Sequence, residues 1–259
     1  MDHSGISLAN SRAEVIDISR LRRAIATSSA PCLNSVSLSC GSYLANSLTQ
    51  SANTVAIPCE RKSVSVTGVD IRSVILFAAA AVGDVRHQIA AALDMGVTRF
   101  LLPPPCYFGQ PSDTGLFAWF AQVLAPFATT DAQCILYHIP QIIGVGLSID
   151  LVAALKAAFC AQVLGVKDSS GSLENTHNLL QLKGLQILVG DERLLATCVQ
   201  HGISGSISGI ANLFSARLVT VLATGTGDPG INNLVDEVLK CPVTPAIKAL
   251  VAQEYGADA

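Results

Sequence analysis

The chain has 259 residues, of which half are apolar and 14% charged, and its formal net charge is -3. That apolar content excludes a disordered chain and supports a sizeable buried core. A slightly acidic balance without a basic stripe argues against nucleic acid as a partner and for a small molecule. One large domain is the better expectation at this length, which α/β barrels commonly reach as a single unit.

At the N-terminus, residues 1–11 lack the basic start and long apolar stretch of a secretory leader, and no run approaches the ~20 apolar residues that span a bilayer. The chain reads as soluble and unexported, with no membrane partner. Segments 5–9 and 35–40 read as strands, with a helix over about 18–29 between them. The stretch between Asp17 and Asp70 carries a single acidic residue, Glu60, and is crowded with serine and threonine. A surface helix there would lack its usual charged face. Two readings stand: a polar, loop-rich region, or one altered away from its ancestral sequence, which compensating frame changes in the coding DNA would reveal.

From Ser73 onward, short β-branched runs alternate with helical periodicity, the pattern of a parallel sheet with helical crossovers. Strands are predicted at 74–79, 99–104, 134–139, 163–168, 186–190 and 205–208. A helix is predicted over 84–95, where Val85, Ile89 and Leu93 share a face, with Gly96 at its C-terminal cap. With the two upstream strands the count is eight, favouring a closed (β/α)8 TIM barrel, an α/β fold, over an open doubly wound sheet. The expected division is a barrel over 1–225 and a C-terminal helical extension over 226–259, with helices at about 228–239 and 244–254. The eight cysteines, at 32, 40, 59, 106, 134, 160, 198 and 241, are scattered through the chain. With no C-x-x-C pair and no Cys/His cluster at ligand spacing, no metal site is expected, and a reducing cytoplasm fits best.

In Gly165-Val166-Lys167-Asp168 a lysine ends what reads as a buried strand. Alternation puts Lys167 on one face with Val163 and Gly165, and turns Leu164, Val166 and Asp168 toward the helices. In a barrel Lys167 then points inward near the C-terminal end, where barrel enzymes place their chemistry. Gly165 below it removes a side chain that would crowd the stem. An ammonium is costly to bury, and a neutral amine is a nucleophile that condenses with a ketone or aldehyde to a Schiff base. A lysine snorkelling to solvent fits the same position. On the preceding strand the inward set is Ile135, Tyr137 and Ile139, which brings a phenol to the same end. A tyrosine hydroxyl beside an imine-forming lysine can relay protons; a core tyrosine with a satisfied hydroxyl is the other reading.

Four segments in order, L-L-P-P-P-C-Y-F (101–108), Y-H-I-P (137–140), G-V-K-D-S-S-G (165–171) and G-I-S-G-S-I-S-G-I-A-N (202–212), resemble the dihydrodipicolinate synthase and N-acetylneuraminate lyase family. The resemblance covers roughly residues 71–250. It implies a (β/α)8 barrel, usually homotetrameric, that binds pyruvate or a related 2-keto acid as a Schiff base and makes or breaks a carbon–carbon bond with an aldehyde, without an organic cofactor or metal. It implies Lys167 as the imine-forming lysine, Tyr137 as the acid/base tyrosine, and Tyr107 as the tyrosine that completes a proton relay across a subunit interface. Ile207 matches the backbone position lining the keto-acid pocket. Gly190 and Asp191, with Glu192, match the segment that sialic-acid lyases use for sugar hydroxyls; a solvated acidic pair at a helix start is the alternative for Asp191 and Glu192.

The family's G-T-T-G-E motif, which holds the keto-acid carboxylate, is represented here by Cys40-Gly41-Ser42-Tyr43-Leu44-Ala45. Gly41 and Ser42 take its first two places, and Tyr43 stands where a second threonine belongs. After Pro140, Ile142 cannot supply the bidentate grip of the arginine that synthase members place there, which favours an aldolase or lyase acting on a sugar-derived acid. The chain also stops soon after Tyr255, short of the usual family length, so part of the helical extension and of the assembly surface is expected to be missing. Elsewhere His138 is expected to face outward as a packing residue, His87, His177 and His201 fall on helices without a partner pattern, and Ser172 before Glu174 reads as a helix start. A pyridoxal-phosphate role for Lys167 lacks a pyridinium partner and a phosphate loop. A catalytically impaired barrel that binds keto acids or serves in assembly is the alternative function.

Overall fold

A computed structural model describes residues 74–76, 79–106 and 109–256. In chain order these form β1 (Val74–Leu76), α1 (Val82–Asp94), β2 (Arg99–Leu102), α2 (Asp113–Leu124) with a 3-10 turn (Ala125–Phe127), β3 (Gln133–His138), α3 (Pro140–Ile143), α4 (Ile149–Ala158) and β4 (Val163–Asp168). There follow α5 (Leu173–Leu180), β5 (Gln186–Val189), a 3-10 turn (Glu192–Leu194), α6 (Leu195–Gln200), β6 (Gly205–Ser206), α7 (Ala211–Thr224), α8 (Pro229–Val238) and α9 (Val243–Tyr255). The six strands make one sheet in sequential order, every pair parallel. The expected strands at 5–9 and 35–40, the helix at 18–29 and the serine-rich stretch between them lie outside the described residues, as do Gly41, Ser42 and Tyr107.

Parallel strands need crossovers, and a sheet covered on both faces needs strands that are apolar on both. Two apolar clusters meet that need. On the helix side Phe100, Leu102, Cys134, Leu136, Val163, Val166 and Ile187 pack with Val85 and Ile89 of α1, Phe120 of α2, Leu151 and Leu155 of α4 and Leu179 of α5. On the other side Leu101, Ile135 and Leu188 form a smaller cluster that Leu164 and Ile207 join. Burial pushes the Cys134 thiol up to about 12, so it stays a protonated, packed group.

The helix boundaries follow local chemistry. Gly96, at φ 79°, follows α1 as expected, and Ser172 caps α5 by accepting from the Asn175 N–H. Ser112 and Ser148 do the same for α2 and α4. Contacts divide the chain into two compact units, with the break among the described residues between Gly227 and Asp228. Beyond it, Asp228 accepts from the Gly230 and Ile231 N–H groups and Pro229 opens α8, so both C-terminal helices form close to where periodicity puts them.

One strand departs from simple alternation. The β3–β4 register slips between Cys134, which opposes Val163, and Ile135, which opposes Gly165. Leu164 is the extra residue of this bulge. Val163 therefore turns to the helix side and Leu164 packs with the opposite cluster, the reverse of the expectation for both. Above the bulge alternation holds: Val166 faces the helices and Lys167 does not.

Candidate active site

The C-terminal ends of β3 to β6 lie side by side. Tyr137 opposes Lys167, Lys167 opposes Leu188, and Val189 opposes Ser206. Lys167 is 9% exposed, and its Nζ donates to the Tyr137 hydroxyl at 3.1 Å while sitting 4.2 Å from the centre of the same ring. No other hydrogen-bond partner of Nζ occurs among the described residues. The arrangement is an amine and a phenol at one strand end, each with capacity left for a further partner.

Close backbone approach fixes this corner. A Cβ on Gly165 would lie 2.1 Å from the Gln186 carbonyl oxygen, so the glycine admits the neighbouring strand rather than leaving room for the Lys167 stem as expected. A Cβ on Gly190 would lie 2.0 Å from the Ser169 hydroxyl oxygen. The Gly190 N–H donates to the Asp168 carbonyl and the Ser169 N–H to that of His138, each at 2.8 Å. These bonds extend the ladder one residue past the strands and level the loops that carry Ser169 and Gly190.

Asp168 points the other way from Lys167 and is 2% exposed. Its carboxylate accepts from the Ser170 N–H at 3.0 Å, the Asn175 amide at 3.1 Å and the Thr176 hydroxyl at 2.8 Å. It ties the end of β4 to the first turns of α5. Strand alternation puts Asp168 on the helix side, and the Asn and Thr seven and eight residues on are the signal for its task there. His138, on the same face of β3, accepts the Leu147 N–H on Nδ1 at 2.9 Å, the packing role expected for it. Burial lowers its imidazole below the ordinary value, with the Asp168 carboxylate pulling the other way.

The acidic pair after Gly190 splits. Asp191 stays near the surface of its own turn, where its carboxylate takes the Arg193 guanidinium at 3.0 and 2.7 Å and the Arg193 N–H at 3.1 Å. Glu192 is buried instead of solvated, and its carboxyl accepts the Ile210 N–H at 3.3 Å and a bond from Ser208. Burial raises its carboxyl above the usual range, against those hydrogen bonds. Glu192 thus joins the loop after β5 to the one after β6, a role with no local sequence signal because its partners lie some eighteen residues on. Ile207, just past β6, lies against the Leu101, Ile135 and Leu188 cluster. Ile142 on α3 is 63% exposed.

The profile of the dihydrodipicolinate synthetase family matches residues 79–254, which contain Lys167 and Tyr137. The chain belongs to this family. It is 37% identical over 136 residues to an uncharacterized DapA-like lyase of Chloroflexus aurantiacus, covering 52% of this chain and 45% of that protein. To the 4-hydroxy-tetrahydrodipicolinate synthase of Chlamydia caviae it is 30% identical over 175 residues, covering 67% of this chain and 56% of that one. The chain thus spans about half the length of the curated relatives it matches. The crystal structure of dihydrodipicolinate synthase from Agrobacterium tumefaciens str. C58 superposes with a TM-score of 0.70 at 40% identity, over 83% of this chain and 72% of that chain. The fold of this family member is accordingly the α/β TIM barrel with C-terminal helices, and the side bearing Lys167 and Tyr137 is the barrel interior.

Proposed function

We propose that this chain is a carbon–carbon lyase of the class I aldolase type, holding pyruvate or a pyruvate-yielding 2-keto acid as a Schiff base on Lys167. The carrying observation is the buried Lys167 amine against the Tyr137 hydroxyl at 3.1 Å, at the strand ends where barrel enzymes work. The amine attacks the ketone carbon, and Tyr137 relays the proton that lets the carbinolamine lose water. The resulting iminium draws electrons from the adjacent carbon. Loss of a proton there, or cleavage of the next carbon–carbon bond with release of an aldehyde, gives an enamine; addition to an aldehyde reverses the cleavage.

In this reading Tyr107 completes the proton relay, Gly41 and Ser42 hold the keto-acid carboxylate, Ile207 and Gly190 line the pocket, and Asp191 meets acceptor hydroxyls after exchanging its bonds to Arg193. The exposed Ile142 supports an acceptor without a carboxylate at that place, hence a sugar-derived acid. A homotetramer in the cytoplasm belongs to the same proposal, and the buried thiols of Cys134 and Cys198 accord with a reducing compartment. A second reading, a member that binds keto acids without turnover, is favoured by one observation: Tyr43 puts a phenol where the family motif has a short hydroxyl.

Exchange of the pyruvate methyl protons in deuterium oxide, followed by NMR, tests the proposal without knowledge of the aldehyde. The enzyme reading expects exchange, slowed by about 10²–10⁴-fold in Tyr137→Phe. Absence of exchange in folded protein defeats it. Restored exchange in Tyr43→Thr would then identify the impaired motif as the cause.

A further inference from the structure

Two imidazoles with no task in the proposed chemistry meet on the outside of the barrel. His177 lies in α5 and His201 directly after α6; both are exposed, and their rings stand edge to face with centroids 5.5 Å apart and planes at 85°. Neither ring makes a hydrogen bond or ion pair among the described residues. The other two described histidines differ. The His138 ring is occupied by the Leu147 N–H, and His87 stands on α1 without a second imidazole beside it among the described residues.

We propose that His177 and His201 form a surface site for one divalent transition-metal ion of the nickel and zinc type. Imidazole nitrogen is a preferred ligand of these ions. At a ligand distance of about 2.0–2.1 Å, two rings sharing an ion at right-angled or tetrahedral geometry have centroids roughly 4.5–5.2 Å apart, so the observed separation exceeds that range by under about 1 Å, and binding also turns one nitrogen of each exposed ring to the ion. The two backbones are already fixed. Thr176, beside His177, is held on the Asp168 carboxylate, and the His201 N–H donates to the carbonyl of buried Cys198. Water fills the remaining coordination positions. The ion joins the end of α5 to the end of α6, the helices that follow β4, which carries Lys167, and β5, which leads into Gly190. Because the unfolded chain does not hold the two rings together, binding stabilises the fold by mass action.

The test uses tag-free full-length chain and nickel chloride, read by calorimetric titration and thermal unfolding with and without chelator. Wild type is expected to bind one ion and to gain a chelator-reversible rise in Tm. His177→Ala and His201→Ala each weaken binding by roughly a hundredfold, at least the scale seen when a metal site loses even an outer partner. Nickel broadening of the His177 and His201 ring signals in a nitrogen–proton NMR spectrum, ahead of His87, checks the site in the unmutated protein. Binding that survives in the double variant, broadening led by His87, or no saturable binding by wild type overturns the proposal.

Discussion

Lys167 and Asp168 are neighbours in β4 and both nearly inaccessible, at 9% and 2% exposure, but they face opposite sides of the barrel wall. The Asp168 carboxylate is matched by three donors from the loop and α5. The Lys167 amine has one partner, the Tyr137 hydroxyl, among the described residues. The difference separates two uses of a buried charge. A carboxylate whose acceptor sites are filled by fixed dipoles is part of the scaffold, and removing it leaves buried donors unmatched. An amine with unfilled capacity, next to a group that can move a proton, is placed for chemistry and adds little to stability.

The largest expected effect breaks the pair on the chemical side. Lys167→Ala takes pyruvate proton exchange to background while its urea midpoint stays level with wild type or rises, since a buried functional amine is not selected for stability. A collapse of the fold would assign the lysine to the scaffold. On the other side, Asp168→Ala is expected to cost about 3 kcal/mol in urea unfolding by orphaning three donors. A loss well under that would mean water or a rearranged α5 replaces the carboxylate. Gly165→Ala pushes a methyl group into the Gln186 carbonyl and is expected to cost about 2 kcal/mol, with the Lys167 adduct still formed if the strands part without moving the amine.

The smallest effect is a pH dependence on the scaffold side. Burial lowers the His138 imidazole in the folded state, so the unfolded chain takes up the proton first. The stability His138 contributes is complete above its unfolded value of 6.5 and is lost as pH falls below it. Loss of the Leu147 bond on protonation sets the scale at about 1 kcal/mol. Glu192, raised by burial above 4.5, acts with the opposite sign as pH rises through its own window. Urea unfolding of wild type against His138→Asn, between pH 7 and 5, isolates the histidine; parallel slopes would remove it from the account.

Much of this comparison was legible in the residues because a strand's period of two and a helix's cap chemistry are local. Alternation alone put Lys167 and Tyr137 on one face and His138 and Asp168 on the other, and Ser172 announced the start of α5. The bulge at Leu164 was not legible, since it depends on how β3 and β4 register against each other. It reversed Val163 and Leu164 yet left Lys167 in place, as the slip lies below it. Gly165 was credited to the lysine stem because the approach of the Gln186 carbonyl is a property of the next strand. Of the two readings of Glu192, the solvated one fails for the same reason: its partners, Ser208 and Ile210, arrive from the loop after β6.

The central claim, that the amine facing the barrel interior is the one that meets substrate, is tested most directly by reducing the protein with borohydride in the presence of pyruvate and mapping the adduct by peptide mass spectrometry. The account predicts a single reduced pyruvyl adduct on Lys167, absent without pyruvate and absent in Lys167→Ala. A folded sample with no adduct, or with adducts spread over surface lysines such as Lys183 and Lys240, would contradict it.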